Sequence, residues 1–172
     1  MKTAKIFDTE RLVVRPLNVN DREDFFDMMG NPKVMNPIPR EAMDRETSDQ
    51  HFEKHLNSNT NSETKVWAIA SKDDATFIGI AAFLKNNEKE DEIGYRIREK
   101  FWGIGYGTEI VKGLIDYGFN VLNVELITAD VYAENVKSIK ILDKFFERYF
   151  EIYNSEDNCT DLRYKLNITN YL

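Results

Sequence analysis

The stretch Phe101-Trp102-Gly103-Ile104-Gly105-Tyr106-Gly107-Thr108-Glu109 decides the fold of this chain. It follows an alternating segment, Glu92–Ile97, that is typical of a strand, and it precedes a helical pattern. The apolar face of that helix consists of Ile110, Val111, Leu114, Ile115, Gly118 and Phe119. Glycines let backbone N–H groups approach an anion, and a helix start carries unpaired N–H groups and partial positive charge. The stretch therefore predicts a phosphate-binding loop, with a strand-to-helix turn that binds nothing as the alternative.

Two familiar phosphate-binding loops fit this stretch poorly. A dinucleotide fingerprint that uses Gly103 and Gly105 requires a third glycine where Thr108 stands. A nucleotide P-loop requires Lys and then Ser or Thr after its last glycine, whereas Thr108 and Glu109 follow Gly107. The stretch therefore predicts a phosphate-containing ligand, but it matches neither the dinucleotide loop nor the nucleotide P-loop.

Strand and helix patterns follow one another along the rest of the chain, which predicts a mixed α/β fold. The predicted strands are Arg11–Pro16, Val66–Ala70, Thr76–Leu84, Glu92–Ile97, Glu125–Val131, Arg148–Tyr153 and Cys159–Leu166. The predicted helices are one capped by Asn18 or Asn20 and ended by Gly30, one over about Asp44–Asn57, one from about Thr108, and one from Asn135 to Phe146. The stretch Asn31–Arg40 contains three prolines and is predicted to be a loop.

Composition indicates one folded domain over residues 1–172, since 42% of the residues are hydrophobic and 31% are charged. The net charge of −7 disfavours a nucleic-acid binder and suits a cationic partner, although acidity also serves solubility. No segment is typical of a signal peptide or a membrane span, so we expect a cytoplasmic protein without a membrane partner. Cys159 is the single cysteine and forms no intramolecular disulfide.

The stretch 101–109 resembles the acyl-CoA-binding motif of GNAT N-acetyltransferases, in the form typical of the RimJ/RimL-like branch. Further segments resemble that branch in the same order along residues 9 to 165. Thr9–Leu17 is similar to its opening strand, Glu92-Ile93-Gly94-Tyr95 to its fourth strand, and Asn135 with Ser138 to its second CoA-side motif. Together these landmarks are far more specific than one glycine-rich loop.

The resemblance implies a GNAT fold, in which a central twisted mixed β-sheet is splayed in the middle and carries helices on both faces. Acetyl-CoA is then expected between the strands Glu92–Ile97 and Glu125–Val131. Its pantetheine arm would pair with the backbone near Tyr95–Ile97, and its pyrophosphate would accept hydrogen bonds from N–H groups of Gly103 to Thr108. The implied cofactor-binding residues are Tyr95, Ile97, Trp102, Gly103, Ile104, Gly105, Tyr106, Gly107, Thr108 and Asn135. On local grounds Asn135 is equally a helix cap.

The resemblance also assigns catalytic roles. In this reaction a neutral amine attacks the thioester carbonyl, negative charge develops on the carbonyl oxygen, and a thiolate leaves. Glu92 is the predicted acceptor of the amine proton, directly or through water, and its alternative is an exposed strand residue. A backbone N–H near Gly94 or Tyr95 would stabilise the oxyanion. Ser138 is the predicted group for the departing sulfur, because Leu142 stands where many family members have a tyrosine.

The end of the last predicted helix departs from the family pattern, and two histidines are candidate metal ligands. The family commonly has Lys-Leu-Gly-Phe where this chain has Lys144-Phe145-Phe146-Glu147, so the turn at Phe146 lacks its glycine. His51 and His55 share a helix face, but Glu53 is misplaced for a zinc-protease helix and no third ligand is indicated. We therefore expect no metal.

The predicted activity is transfer of an acetyl group from acetyl-CoA to a primary amine. Resemblance to the RimJ/RimL-like branch favours the N-terminal α-amino group of a protein, as in ribosomal-protein acetylation. A small amine such as an antibiotic or polyamine is the alternative acceptor, and a catalytically silent acyl-CoA sensor is the alternative function. The chain is expected to be a monomer or a homodimer.

Overall fold

The computed structural model describes residues 4–36, 41–58 and 62–171, which form a sheet of eight strands flanked by helices. The strands are β1 (Phe7–Asp8), β2 (Leu12–Arg15), β3 (Lys65–Ser71), β4 (Phe77–Lys85), β5 (Asp91–Ile97), β6 (Leu126–Tyr132), β7 (Glu147–Asn154) and β8 (Cys159–Asn167). The helices are α1 (Arg22–Met29), α2 (Pro32–Met35), α3 (Arg45–Leu56), α4 (Tyr106–Asn120), α5 (Val136–Leu142) and α6 (Ile168–Tyr171).

Two apolar cores lie on opposite faces of this sheet. Alternate residues of a strand point to opposite faces, and β3 accordingly contributes Trp67 and Ile69 to one core and Ala68 to the other. The first core contains the apolar face of α4, and the second contains Phe25 of α1 and Phe52 of α3. Helices therefore cover both faces, as the predicted fold class requires.

The sheet is split between β5 and β6, its one parallel pair. Strand β5 pairs with β4 along its whole length but with β6 at only two positions, Asp91 with Ile127 and Glu92 with Thr128. The hydroxyl of the fully buried Thr128 donates to the Asp91 carbonyl oxygen at 3.0 Å and fixes this junction. Beyond it the two strands separate, which is the splay that the resemblance to GNAT enzymes implies.

Strand β8 lies between β6 and β7, so the strand order is β1-β2-β3-β4-β5-β6-β8-β7. Leu162 and Tyr164 of β8 belong to the core on the α4 side. Asp161 and Arg163 alternate with them and therefore face away from α4. The β6–β8 pairing places Arg163 opposite Asp130 and Asp161 opposite Tyr132.

The structure corrects three predicted boundaries. Helix α2 occupies part of the predicted loop 31–40, because Asn31 caps it by accepting from the Lys33 N–H at 2.9 Å and Pro32 suits a first helical turn. Residues 37–40 of that prediction lie outside the described part of the chain. Helix α4 begins at Tyr106 and not at Thr108, and α5 ends at Leu142 and not at Phe146.

The turn after α5 closes without the glycine that the family commonly has. The N–H groups of Phe145 and Phe146 both donate to the Leu142 carbonyl oxygen, at 3.0 and 2.8 Å. Phe146 then packs into the core on the α4 side, and it is not among the described residues with positive φ. A large residue at this position is therefore accommodated, because the backbone there does not need a left-handed conformation.

Candidate active site

The glycine-rich loop has the backbone that only glycine adopts easily. Gly103 and Gly105 lie in the left-handed region, with φ of 77° and 89°. Gly105 is the N-cap residue of α4, so the next N–H groups, those of Tyr106, Gly107 and Thr108, belong to the first helical turn and have no carbonyl four residues back within the helix. These donors and the positive end of α4 suit a pyrophosphate.

Arg11 and Glu109 hold this loop in place from the start of β2. The Glu109 carboxylate accepts from Arg11 Nε and from the Arg11 backbone N–H, each at 2.7 Å. Arg11 Nη1 donates to the Ile104 carbonyl oxygen at 2.9 Å, and its guanidinium lies 4.5 Å from the centre of the Tyr106 ring. Burial opposes ionisation of Glu109, but hydrogen bonds from Thr9 and Arg11 hold its pKa below the usual value.

A cleft of about 870 Å³ runs from this loop past α5. Ten of the twelve predicted site residues line it: Tyr95, Ile97, Trp102, Gly103, Gly105, Tyr106, Gly107, Thr108, Asn135 and Ser138. Ile104 does not line it, because its side chain is half exposed and its carbonyl is turned to Arg11. Gly107 allows the start of α4 to pack closely against Ile141, since a Cβ at this position would lie 2.7 Å from Ile141 Cδ1.

The main chain of β5 offers hydrogen-bonding groups to the gap beside it. The Arg98 N–H donates to the Ile78 carbonyl oxygen in the β4 register, so even-numbered residues of β5 turn their N–H and C=O groups towards β4. Tyr95 and Ile97 therefore turn theirs towards the gap, where β6 has separated. Trp102 Nε1 donates to the Ile97 carbonyl oxygen at 2.8 Å, and the oxygen's second lone pair stays available.

Two hydroxyl groups meet at the centre of the cleft. Tyr95 Oη and Ser138 Oγ are 3.1 Å apart, and burial raises the pKa of Tyr95, so the phenol stays protonated at neutral pH. Asn135 Oδ1 accepts from the Ser138 backbone N–H at 3.2 Å and caps α5. The cap uses the amide oxygen of Asn135, and its NH₂ group remains as a donor in the cleft.

A second cavity of about 440 Å³ adjoins this cleft through four shared residues, Tyr95, Arg96, Asn135 and Ser138. It lies where β5 and β6 diverge and extends over the sheet face opposite α4. Its apolar lining includes Ile80, Ala82 and Ile93, and its acidic lining consists of Asp130, Asp157 and Asp161. The hydroxyl pair thus lies between a cofactor-sized cleft and a smaller acidic cavity.

Glu92 lies next to Ile93, at the junction where the gap begins, but its own side chain does not line either cavity. Burial, together with repulsion from Asp130, raises the pKa of Glu92 to about 7, and Arg163 opposes the shift. A carboxyl group with this pKa exchanges protons near neutral pH, as a general base requires. A water molecule would have to connect it to an amine in the second cavity.

The histidines and the cysteine are not part of this arrangement. The rings of His51 and His55 lie 6.4 Å apart on α3, and the structure shows no group of three metal-ligating side chains in the part of the chain it describes. Cys159 is buried in β8, and burial raises the pKa of its thiol, which disfavours the reactive thiolate.

Sequence reasoning did not anticipate three features of the site. Arg11 and Glu109 belong to the two segments that resemble the family, but they are 98 residues apart and no periodicity indicates that they meet. The hydroxyl of Tyr95 and the acidic lining around Asp161 were also missed. Alternation along β5 and β8 indicates which side chains share a face, but only strand order brings those faces together.

Comparison with known proteins agrees with this geometry. Residues 11–145 match the family described as Acetyltransferase (GNAT) domain. An uncharacterized N-acetyltransferase, p20 of Bacillus licheniformis, is 30% identical over 142 residues that cover 78% of each chain. The chain therefore belongs to the GNAT acetyltransferase family, and the enzyme is an acetyl-CoA-dependent N-acetyltransferase.

Two solved structures share the fold at low sequence identity. Spermidine N-acetyltransferase from Vibrio cholerae, in complex with CoA and spermine, matches with a TM-score of 0.77 at 18% identity over 93% of this chain and 97% of that one. A candidate ribosomal-protein-serine acetyltransferase from Vibrio cholerae matches with a TM-score of 0.77 at 16% identity over 97% and 99%. The fold is thus shared by proteins described with different acceptors.

The site fits the acetyl-CoA that this family uses as donor. The left-handed glycines, the free N–H groups of α4 and the gap-facing main chain of Tyr95 and Ile97 match a pyrophosphate followed by an amide-containing arm. Within the described residues, no helix is both long enough and apolar enough to cross a bilayer.

Proposed function

We propose that this enzyme acetylates a primary amine that enters through the second cavity, with Glu92 as the base and Ser138 as the acid. The observation that carries the proposal is the placement of these groups. A carboxyl group with a pKa of about 7 lies at one end of the gap, and the Tyr95–Ser138 hydroxyl pair lies where the two cavities meet.

Each step needs one group of this chain. Bound acetyl-CoA supplies a thioester whose carbonyl carbon bonds to the amine nitrogen and whose sulfur leaves. Glu92 takes the proton of the acceptor ammonium through water, and the gap-facing N–H of Tyr95 donates to the carbonyl oxygen as negative charge grows there. Ser138 donates its proton to the sulfur and is replenished, through Tyr95 or water, by the second proton that the amine nitrogen loses as the amide forms. The products are an N-acetyl amide, the free thiol of CoA and one proton released to solvent.

The Gly94 N–H is less suited to the oxyanion role than the Tyr95 N–H. Gly94 is paired with Ala82 in the register that turns even-numbered residues towards β4. Its N–H is therefore already bonded within the sheet, whereas the Tyr95 N–H faces the gap. Of the two backbone donors that the sequence predicted, we retain Tyr95.

Two acceptor classes fit the proposal. The N-terminal α-amino group of a protein is favoured by the resemblance to the RimJ/RimL-like branch, and its pKa near 8 needs little deprotonation. A small amine is favoured by the acidic lining of the second cavity. A cytoplasmic location suits either acceptor and is part of this proposal.

The test is release of CoA thiol from acetyl-CoA with a panel of neutral-side-chain peptides with free N-termini, polyamines and aminoglycosides. Turnover with any member supports acetyl transfer. A protein that binds acetyl-CoA in calorimetry but releases no thiol with any amine would instead be an acyl-CoA sensor, and the catalytic proposal would be wrong.

A further inference from the structure

The acidic side chains that line the second cavity outnumber the basic ones. Arg163 pairs with Asp130 through two hydrogen bonds of 2.7 Å and with Glu88 at 2.6 Å, so the Asp130 charge is compensated. Arg96 is the cationic residue of the lining, and its Nη1 lies 3.0 Å from the Met29 sulfur on the α1 side. Asp157, at the rim, accepts from the Asn154 side chain.

Asp161 differs from these acids because it makes no side-chain hydrogen bond or ion pair within the described residues, and Glu92 shares this property. Burial and repulsion from Asp130 and Asp157 raise the pKa of Asp161, with Arg163 opposing. Repulsion from Asp161 also contributes to the raised pKa of Glu92. A cation bound between Asp161 and Glu92 would relieve this repulsion.

The register positions of Glu92 and Asp161, and the cavity lining between them, suit a particular kind of cation. Glu92 pairs with Thr128, whereas Asp161 pairs with Tyr132 on the same strand. Thr128 and Tyr132 are four positions apart on β6, which is about 13 Å along the backbone of the strand. The apolar side chains of Ile80 and Ala82 line the cavity together with Asp161, and Glu92 lies at its edge, at the β5–β6 junction. Methylene groups would contact this apolar surface, and charged groups would contact its two ends.

We propose that the acceptor is a small diamine or polyamine, whose reacting amine is connected to Glu92 through water while a second ammonium group binds Asp161. The inference rests on the proposed function and deepens it by naming the substrate class. The second cavity is the acceptor site because it adjoins the cofactor cleft at Tyr95 and Ser138. Asp161 is then the residue that determines specificity, since an acceptor whose far end is neutral forms no ion pair with it.

The experiment compares two amines of equal length, 1,6-diaminohexane and hexylamine, by kcat/KM from thiol release at fixed acetyl-CoA. We expect a preference for the diamine of about tenfold or more, the size of one hydrogen bond to a charged group. Raising the salt concentration should reduce this preference, because an exposed ion pair is screened. Asp161→Asn should lower kcat/KM for the diamine about tenfold more than for hexylamine.

Asp73→Asn is the matched control, because it removes the same charge from the exposed turn between β3 and β4. This control should keep the full preference for the diamine. Equal kcat/KM for both amines in the parent, an unchanged preference in Asp161→Asn, or faster turnover of a neutral peptide N-terminus would each overturn the inference while leaving amine acetylation intact. Absence of thiol release with every amine would overturn the proposed function itself.

Discussion

The hydroxyl of Tyr95 lies 3.1 Å from the hydroxyl of Ser138, and both residues line the larger cleft and the second cavity. If Ser138 protonates the departing sulfur, Ser138→Ala should lower kcat about tenfold to a thousandfold, as general-acid contributions do. The factor should vary little with pH, and acetyl-CoA affinity should be retained. Tyr95→Phe in the Ser138→Ala background should then add little, because the two hydroxyls act as one unit. Parent-like turnover of Ser138→Ala between pH 6 and 9.5 would limit Ser138 to the start of α5.

Glu92→Gln should change the shape of the pH profile as well as the rate. Glu92 is ionised above its pKa of about 7, so the parent's kcat/KM should rise up to that pH and then level off. The variant depends on acceptor amine that is already neutral, so its kcat/KM should keep rising as the pH approaches the pKa of the acceptor. The deficit should therefore shrink between pH 7 and 9.5. Parallel profiles for the two proteins would exclude Glu92 as the base.

The same substitution should stabilise the fold at alkaline pH. Because the folded-state pKa of Glu92 is raised from 4.5 to about 7, the unfolded chain loses this proton first as pH rises, and folded stability falls between those two values. Glutamine stays neutral and avoids that loss, which is on the order of 2 kcal/mol. Thermal unfolding at pH 5 and pH 8 measures the effect. A melting temperature of Glu92→Gln below that of the parent at pH 8 would contradict it.

Gly105→Val should weaken acetyl-CoA binding by at least tenfold, or about 1.4 kcal/mol. Valine strongly disfavours the φ of 89° at this position, and its Cβ would lie 3.3 Å from Arg11 Nη2, so the loop must move away from the pyrophosphate. Asn123→Val is the control for strain, because Asn123 has a φ of 55° in the turn after α4. Calorimetric affinity equal to that of the parent, in a folded Gly105→Val protein, would exclude the loop as the phosphate site.

Arg11→Met should also reduce acetyl-CoA affinity, by removing the bonds that hold Glu109 and the Ile104 carbonyl. Arg11 touches the loop and not the reacting atoms, so the acetyl-CoA KM should rise several-fold while kcat at saturation changes little. Arg45→Met is the control, since Arg45 forms an exposed ion pair with Glu23 and does not line the cleft. A lower kcat with an unchanged KM would contradict this positioning role.

The lining of the larger cleft was predictable because local sequence determines it. The left-handed backbone at Gly103 and Gly105 requires glycine, and the cap at Asn135 is a local hydrogen bond. Ten predicted residues consequently line one cleft. The lining of the second cavity depends on pairs such as Asp130 with Arg163, which are 33 residues apart and meet only because β8 inserts beside β6. No residue near Asp130 in the sequence indicates that partner.

The bounds of helices and strands were likewise predictable where neighbouring residues set them and were missed where tertiary packing sets them. The start of α3 near Asp44 and its end at Asn57 were predicted, because both are set by neighbouring residues. The two-residue strand β1 was missed, since its pairing with β2 is set by the bends around it and not by a hydrophobic pattern. The spacing predicted a helical position for Phe146. The residue instead follows the turn after α5 and packs into the core on the α4 side.

The two-position pairing of β5 with β6 divides the sheet into two units of unequal size. Strands β6, β8 and β7 are joined to each other by long antiparallel ladders, but their main-chain connection to β1–β5 is short. Such a boundary favours opening of one cooperative unit before the other. A ligand that pairs with the gap-facing amides of Tyr95 and Ile97 would take the place of the missing ladder. Amide hydrogen exchange on both sides of the gap should therefore slow together when acetyl-CoA binds, so that the ligand makes the two units unfold as one.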